Sequence, residues 1–329
     1  MEKVIRKGTR DRKNIIFLFI MSVLSGALSA FAGLALASVC GGFLAALWFF
    51  EPEEKRIFSY IAIPVILAID ILLNGIYTLV GVFAIVLGLM IFLVYRLRFS
   101  KCESVFGMTI VAALLILLAY ILLALGNKDG LGVKEYYAQI YDEYKVYFIE
   151  SFAAMYEAVP ELKETILITE DDVVTILDTL VTMLVSFVII YGFALVGIAC
   201  KIFKIMVRRY SEDKKEISDW NFMTPSIYAY FYIALTIAGF FVGSELNEFA
   251  LVVMNLSSIF MVVYAYIGWN CASKILAARR NPMLSNVILF VVILCFGNLA
   301  LNLLSFFGMF YTLSLNRFYS ERNSDNDEK

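Results

Sequence analysis

Five polar residues lie inside long apolar stretches, where their types and spacing favour either ligand binding or hydrogen bonding between helices. Asp70 and Asn74 are four residues apart, as are Asn298 and Asn302, so each pair shares one face of a helix. Asn255 stands alone in another apolar stretch. A carboxylate and amides together offer the donors and acceptors that bind a polar small molecule. The alternative is hydrogen bonding between neighbouring helices, worth about 0.6–2 kcal/mol per contact.

The residue types needed for most enzymatic or metal chemistry are missing from the chain. It contains no histidine, which removes Ser–His and Cys–His nucleophile pairs and histidine metal ligands. The cysteines form no CxxC motif, no carboxylate cluster has the spacing of metal ligands, and there is no Walker motif. We therefore expect no catalytic residues, no metal, no cofactor and no enzymatic activity.

The elements that must position the polar residues are long apolar segments. Hydrophobic residues make up 61% of the chain and charged residues 17%, and a helix of about 20 apolar residues matches the ~30 Å hydrocarbon core of a bilayer. The sequence predicts an all-α fold, a polytopic transmembrane helical bundle of about 8–10 spans with one long extracytoplasmic helical loop. The apolar runs are Ile15–Phe50, Phe58–Tyr95, Val105–Leu125, Val173–Cys200, Ile227–Gly243, Phe249–Trp269 and Leu284–Leu315.

These runs divide the chain into five regions. They are the N-terminus 1–14, an N-terminal membrane half 15–126 with about five spans, the loop 127–172, a C-terminal membrane half 173–316 with about four or five spans, and a polar tail 317–329. We place spans at roughly 15–31, 33–50, 57–75, 76–95, 105–126, 173–200, 224–243, 248–269, 284–300 and 301–316. The last run is alternatively one bent helix, which would move the C-terminus to the other side.

The positions of the basic residues predict the orientation. Positively charged loops stay in the cytoplasm, and the N-terminus carries Lys3, Arg6, Lys7, Arg10, Arg12 and Lys13. With these spans, the same side receives Lys55, Arg56, Arg96, Arg98, Lys101, Lys201, Lys204, Arg208, Arg209, Lys214, Lys215, Lys274, Arg279 and Arg280. We expect a multi-pass protein of the plasma membrane with its N-terminus in the cytoplasm. The five polar residues then fall in or near the outer half of the membrane, where a shared cavity would open outward.

The loop between the two membrane halves has an amphipathic pattern. Apolar and aromatic residues recur at three- and four-residue steps, at Tyr137, Ile140, Tyr141, Tyr144, Tyr147, Phe148, Phe152 and Met155. This spacing predicts a helix with one aromatic face and one acidic face, resting on the membrane surface or on the bundle. Its role is either docking of a partner or covering of the bundle. Thr169 and Asp172 then predict a capping box that begins the sixth span.

The first span carries small residues at four-residue steps, Ser22, Gly26 and Ala30. Small residues at this spacing let another helix approach closely. The face is either an interface with another membrane protein or an internal packing surface.

Short motifs in the second half resemble the YybS-like family of uncharacterised bacterial membrane proteins. They are Ser218–Pro225 opening a span, Asn255-Leu256 within a span, Tyr266–Trp269 closing it, Phe306–Phe310, and Asn316–Phe318. That family is in turn distantly similar to the substrate-binding S components of energy-coupling-factor vitamin transporters. S components engage a partner membrane subunit through small-residue faces on an early helix, and the resemblance implies that Ser22, Gly26 and Ala30 form that face here.

Two functional classes follow. The first is a small-molecule-binding membrane subunit of a transporter, with Asp70, Asn74, Asn255, Asn298 and Asn302 as ligand-binding candidates. The second is a non-transporting membrane scaffold or regulatory protein with an extracytoplasmic docking helix. The expected partners are the lipid bilayer, another membrane subunit and, in the first class, a small molecule. The net charge of −2 gives no reason to expect nucleic acid.

Overall fold

A computed structural model describes residues 12–52, 56–75, 79–97, 101–126, 130–160, 168–210, 224–241, 248–277 and 282–327. Within them, only the backbone is described for residues 30, 101–103, 282–283 and 316–327. The main elements are all helices: α1 (Arg12–Phe50), α2 (Ile57–Asn74), α3 (Val80–Leu97), α4 (Lys101–Leu125), α5 (Val133–Ala158), α6 (Glu170–Thr182), α7 (Leu184–Tyr210), α8 (Ser226–Phe241), α9 (Glu248–Ala277) and α10 (Pro282–Asp327).

Eight segments of the described chain are long and apolar enough to cross a membrane, which agrees with the predicted polytopic bundle. They are Arg12–Ser29, Phe31–Phe50, Ile57–Asn74, Val80–Leu97, Ser104–Leu125, Leu184–Tyr210, Glu248–Ala277 and Leu284–Leu315. Ser226–Phe241 is a shorter apolar helix. Most of the basic N-terminus and the basic segment 211–223 lie outside the described residues, so the orientation stays a prediction.

Helix α1 is a hairpin of two membrane-crossing arms that reverses at Gly33. Gly33 has φ 64° and ψ −149°, a backbone conformation that side chains rarely tolerate. The Cys40 thiol, on the second arm, donates a hydrogen bond to the carbonyl oxygen of Ser22 on the first arm, 3.3 Å away. A straight helix would separate these residues by about 27 Å at 1.5 Å per residue. The predicted division of the first apolar run into two spans is therefore confirmed.

The chain forms two compact units, Met1–Asp219 and Trp220–Lys329. In the first unit the second arm of α1 packs against both α3 and α7. Glycines make these contacts close: a Cβ atom on Gly88 would lie 2.8 Å from the Gly41 carbonyl oxygen, and one on Gly41 would lie 2.9 Å from the Ala84 carbonyl oxygen. Gly42 similarly faces the backbone of Ala199 on α7. These glycines thus let the backbones of α3 and α7 approach α1 closely, beside large buried side chains such as Phe83 and Phe203.

The second unit contains α8, α9 and α10, and α10 is also a hairpin. Gly297 has φ 49° and ψ −123°. Gly268 of α9 packs on the backbone around Gly308, while the adjacent Trp269 donates its indole N–H to the Asn286 Oδ1 atom (3.1 Å). Because both ends of α10 meet the same part of α9, the helix must double back at Gly297. The last apolar run therefore forms two arms, which agrees with the predicted division near residue 300 and not with the alternative of one bent helix.

The start of the sixth span differs from the sequence prediction. The capping box of Thr169 and Asp172 is present, but it begins the short helix α6 rather than the sixth span. That span begins at Leu184, after a turn at Met183. The reason is polarity: α6 exposes acidic side chains and buries only Val173 and Leu177. A segment of this kind suits the membrane surface better than the hydrocarbon core.

Candidate functional site

Asp70 lies near the C-terminal end of α2 and links this helix to α3. Its carboxylate accepts hydrogen bonds from the Gly81 backbone N–H (2.7 Å) and from the Asn74 Nδ2 atom (2.8 Å), and the residue is only 4% exposed. The Gly81 N–H belongs to the first turn of α3, where backbone donors have no partner within their own helix. Asp70 therefore acts as an N-terminal cap supplied by another helix. Gly81 permits this approach, since a Cβ atom there would lie 3.0 Å from the carboxylate.

Three of the five ligand-binding candidates already have hydrogen bonds within their own unit. Asp70 and Asn74 bond each other in the first unit. In the second unit, the Asn255 side-chain amide donates to the Leu251 carbonyl oxygen one turn earlier (2.9 Å). A hydrogen bond made within the chain removes part of a side chain's capacity to bind a ligand.

Asn298 and Asn302 differ from the other three candidates. Asn298 is exposed immediately after the reversal at Gly297, and Asn302 is half-buried one turn further on. Neither amide has a hydrogen-bond partner within the part of the chain that the structure describes. The convergence of all five residues on one cavity stays a prediction.

Two members of the small-residue face, Ser22 and Gly26, pack inside the first unit. Ser22 is fully buried, and its hydroxyl donates to the Leu18 carbonyl oxygen. A Cβ atom on Gly26 would meet the Ile66 side chain of α2 at 3.0 Å. The internal-packing interpretation accounts for both positions. The side chain of Ala30 lies outside the described residues.

Glu51 is a second buried carboxylate, which the sequence analysis did not single out. It follows α1 directly, is 3% exposed, and accepts hydrogen bonds from the backbone N–H groups of Phe58 (2.8 Å) and Ser59 (2.9 Å) and from the Ser59 hydroxyl. These donors lie in the first turn of α2, so Glu51 caps α2 as Asp70 caps α3. In the sequence, Glu51 is the first of three glutamates in the short polar segment before α2, and its neighbours give no sign that it turns inward.

The loop helix α5 is held by tyrosine hydroxyls rather than by a buried core. None of its residues is buried. The Tyr137 hydroxyl donates to the Tyr120 carbonyl oxygen of α4 (2.6 Å), and the Tyr141 hydroxyl donates to the Asp178 Oδ1 atom of α6 (2.7 Å). The second bond raises the pKa of Tyr141 above its ordinary value, because ionising the phenol would break it. The predicted helix is confirmed, and it is attached to its neighbours along one side.

The opposite face of α5 carries an open, shallow acidic depression, called the groove below, which is formed by this helix and Leu131 alone. Its volume is about 720 Å³, and it is lined by Leu131, Glu135, Ala138, Gln139, Asp142, Glu143, Val146, Tyr147 and Glu150. The lining includes four carboxylates and no basic side chain. Val146 and Tyr147 are 53% and 64% exposed. The sequence pattern predicts Tyr147 on the same face as Tyr137. In the structure Tyr137 contacts α4, whereas Tyr147 lies in the groove on the other face.

The described residues contain no group of three or more His, Cys, Asp or Glu side chains that would hold a metal ion. Of the free cysteines, Cys40, Cys200 and Cys271 are buried and Cys295 is exposed.

Eight segments long and apolar enough to cross a membrane, in a described chain made of helices, define the class of polytopic integral membrane proteins. The chain belongs to the family described as Predicted membrane protein (DUF2232), whose model matches residues 14–310. Neither a curated protein nor a solved structure matches it.

Proposed function

We propose that this protein is a non-catalytic membrane scaffold that uses the outward face of α5 to dock a positively charged segment of another protein. The observation that carries the proposal is the open groove on α5, where four carboxylates surround the exposed side chains of Val146 and Tyr147. An interface of this composition favours a basic amphipathic partner, with apolar contact at its centre and charge pairs at its rim. An anionic lipid surface would be repelled by the same face.

The proposal includes the predicted orientation, with the protein in the plasma membrane, its N-terminus in the cytoplasm and α5 outside. It rests on the distribution of basic residues, since positive loops stay inside. A membrane-impermeant maleimide applied to intact cells should label a cysteine at Glu150 and spare one at Lys214. The reverse labelling would place α5 in the cytoplasm and overturn the orientation.

Transport by an S-component-like mechanism has less support than docking. The polar residues Asp70, Asn74 and Asn255 use hydrogen-bonding capacity within the chain, and Ser22 and Gly26 pack against the chain's own helices. The likeness to YybS-like proteins and to S components therefore stays a resemblance of short sequence motifs.

Docking is tested with a defined peptide on the full-length protein in nanodiscs of zwitterionic lipid. The probe is a synthetic amphipathic helix with lysines along one face, and its matched control carries glutamates instead. Replacing all four groove carboxylates by their amides should weaken binding of the lysine peptide about tenfold or more, since exposed charge pairs contribute about 0.2–1 kcal/mol each and tenfold corresponds to about 1.4 kcal/mol. Neutralising Glu170 and Asp171 on α6, which lie outside the groove, should leave binding within about twofold.

A second variant separates docking from general attraction between charges. Val146→Ser with Tyr147→Ser preserves every carboxylate but removes the apolar centre of the groove. This variant should bind the lysine peptide several-fold more weakly than the wild type does. The control Tyr144→Ser, which alters an exposed tyrosine outside the groove lining, should have no effect. If the peptide binds the Val146 and Tyr147 variant as tightly as it binds the wild type, charge alone explains binding and the docking proposal is wrong.

A further inference from the structure

Aromatic rings form a layer at one end of the first unit, where α1, α3 and α7 meet. The Phe49 ring, near the end of the second arm of α1, contacts Tyr95 of α3 (5.2 Å between ring centroids) and Phe203 of α7 (6.0 Å). The neighbouring Phe50 contacts Tyr210, the last residue of α7 (6.1 Å). Aromatic side chains at the ends of membrane helices are typical of the level of the lipid headgroups. We therefore expect this end of the unit at a membrane–water interface.

Two arginines from different helices lie over one ring in this region. The Cζ atoms of Arg56, immediately before α2, and Arg96, in the last turn of α3, are 5.3 and 6.0 Å from the centroid of the Phe92 ring. Phe92 is buried and packs against Trp48 of α1, with 6.3 Å between the ring centroids. The two guanidinium groups thus share one aromatic ring, and their Cζ atoms lie no more than about 11 Å apart.

This arrangement favours an anion beside the two guanidinium groups. Two positive charges at this distance repel each other, and they do so more strongly beside a buried ring than in bulk water. An anion that contacts both groups removes the repulsion, and guanidinium groups match the oxygens of a phosphate with paired hydrogen bonds. Basic pockets between membrane helices bind anionic lipid headgroups through such contacts.

We propose that Arg56 and Arg96 together bind the phosphate group of an anionic phospholipid at this end of the first unit. A protein that spans the bilayer has phospholipid headgroups at the level of its helix ends, so this anion is present wherever the protein is. An anionic lipid is favoured over a zwitterionic one, because no ammonium group on the same headgroup offsets the phosphate charge. The site is independent of the proposed docking by α5, and the predicted orientation decides only that the leaflet is the cytoplasmic one.

Trp48 serves as the reporter in the test, since it packs against the Phe92 ring. The full-length protein carries Trp220→Phe and Trp269→Phe, which leave Trp48 as its only tryptophan, and it is reconstituted in mixtures of phosphatidylcholine and phosphatidylglycerol. Brominated acyl chains quench nearby tryptophans, so brominating one lipid or the other gives their relative affinity beside Trp48. Phosphatidylglycerol should bind there about fivefold or more tightly, since one arginine near the headgroups contributes a preference of about that size.

Variants of the two arginines identify the groups that bind the lipid. Replacing Arg56 and Arg96 by glutamine should abolish most of the preference, and replacing both by lysine, which keeps the charges, should retain most of it. A lysine variant no better than the glutamine variant would mean that charge does not select the lipid. Arg96→Gln alone should give an intermediate preference, which keeps the test usable if the double variant does not fold. The control is Arg209→Gln, which removes a single arginine from the Tyr210 ring at the same end (5.7 Å) and should leave the preference within about twofold.

Four results would overturn the proposal. Equal binding of the two lipids beside Trp48 would show that no anionic lipid is selected there. An undiminished preference in the double glutamine variant would assign the lipid to other groups. A loss in Arg209→Gln as large as that in the double variant would show attraction by the overall positive charge instead. Full competition by inorganic phosphate at the concentration of the lipid would show a site for a free anion.

Discussion

Replacing Asp70 should destabilise the first unit by an amount that depends on what happens to two donors. In Asp70→Leu the Gly81 N–H loses its acceptor in a buried site, and the Asn74 amide loses its acceptor in a part-buried one. An unsatisfied buried group costs about 1–3 kcal/mol, so the Gly81 N–H alone lowers the free energy of unfolding by about 1–3 kcal/mol, and the partly exposed Asn74 amide adds less than that. In Asp70→Asn an oxygen remains for Gly81, and the loss should be about 1 kcal/mol, since neutral hydrogen bonds are about half as strong as charged ones.

The assay is reversible unfolding of the purified protein in lipid bicelles by steric trapping or denaturant. Leu72→Ala on the same helix is the control, because Leu72 is 82% exposed. The double variant with Asn74→Leu should be no worse than Asp70→Leu alone, since both remove the same bond. Equal stability of Asp70→Leu and the control would refute the reasoning that Asp70 caps α3.

Three further predictions concern other contacts. Gly88→Ala should destabilise by about 1–3 kcal/mol through overpacking, whereas Gly107→Ala, where a Cβ atom meets nothing within 4 Å, should be neutral or stabilising in the same unfolding assay. Glu51→Leu should cost about 2–6 kcal/mol by leaving the α2 donors unpaired, and Glu51→Gln should recover at least half of that loss; identical effects of the two would contradict the cap. The hydrogen bond from Tyr141 to Asp178 raises the pKa of Tyr141. The contribution of this bond to holding α5 against α6 should therefore be complete below the ordinary tyrosine pKa near 10 and lost as the pH rises through the higher pKa. In an absorbance titration, Tyr141→Phe should remove one late-ionising tyrosine from the wild-type curve, and Asp178→Asn should shift the ionisation of one tyrosine earlier; an unchanged curve in Asp178→Asn would contradict the bond.

The order and approximate bounds of the membrane helices were predictable, because hydropathy reports length and burial directly. The break in the first apolar run was predictable from the small residues around Gly33, and the Asp70–Asn74 bond from their four-residue spacing. The partner of Asp70 across the turn, Gly81, was not predictable, since that contact depends on how α2 and α3 pack together.

The functional features that were missed depend on tertiary structure. In the acidic segment after α1, only the direction in which the chain enters α2 turns Glu51 inward. Gly41 and Gly42 looked like any small residues in a span, and their role appears only where α3 and α7 approach α1. On α5 the aromatic pattern predicted the helix, but periodicity alone did not show which tyrosines contact neighbouring helices and which line the groove.

The two capping carboxylates restrict how α2 can move. Glu51 fastens its first turn to the end of α1, and Asp70 fastens its last turns to the start of α3. Sliding of α2 along the membrane normal by even one residue would break a buried bond at each end, and both breaks would have to occur together. Piston-like signalling through this helix is therefore disfavoured. A conformational change that couples the two membrane surfaces would have to move α1, α2 and α3 together as one rigid body, or involve other helices instead.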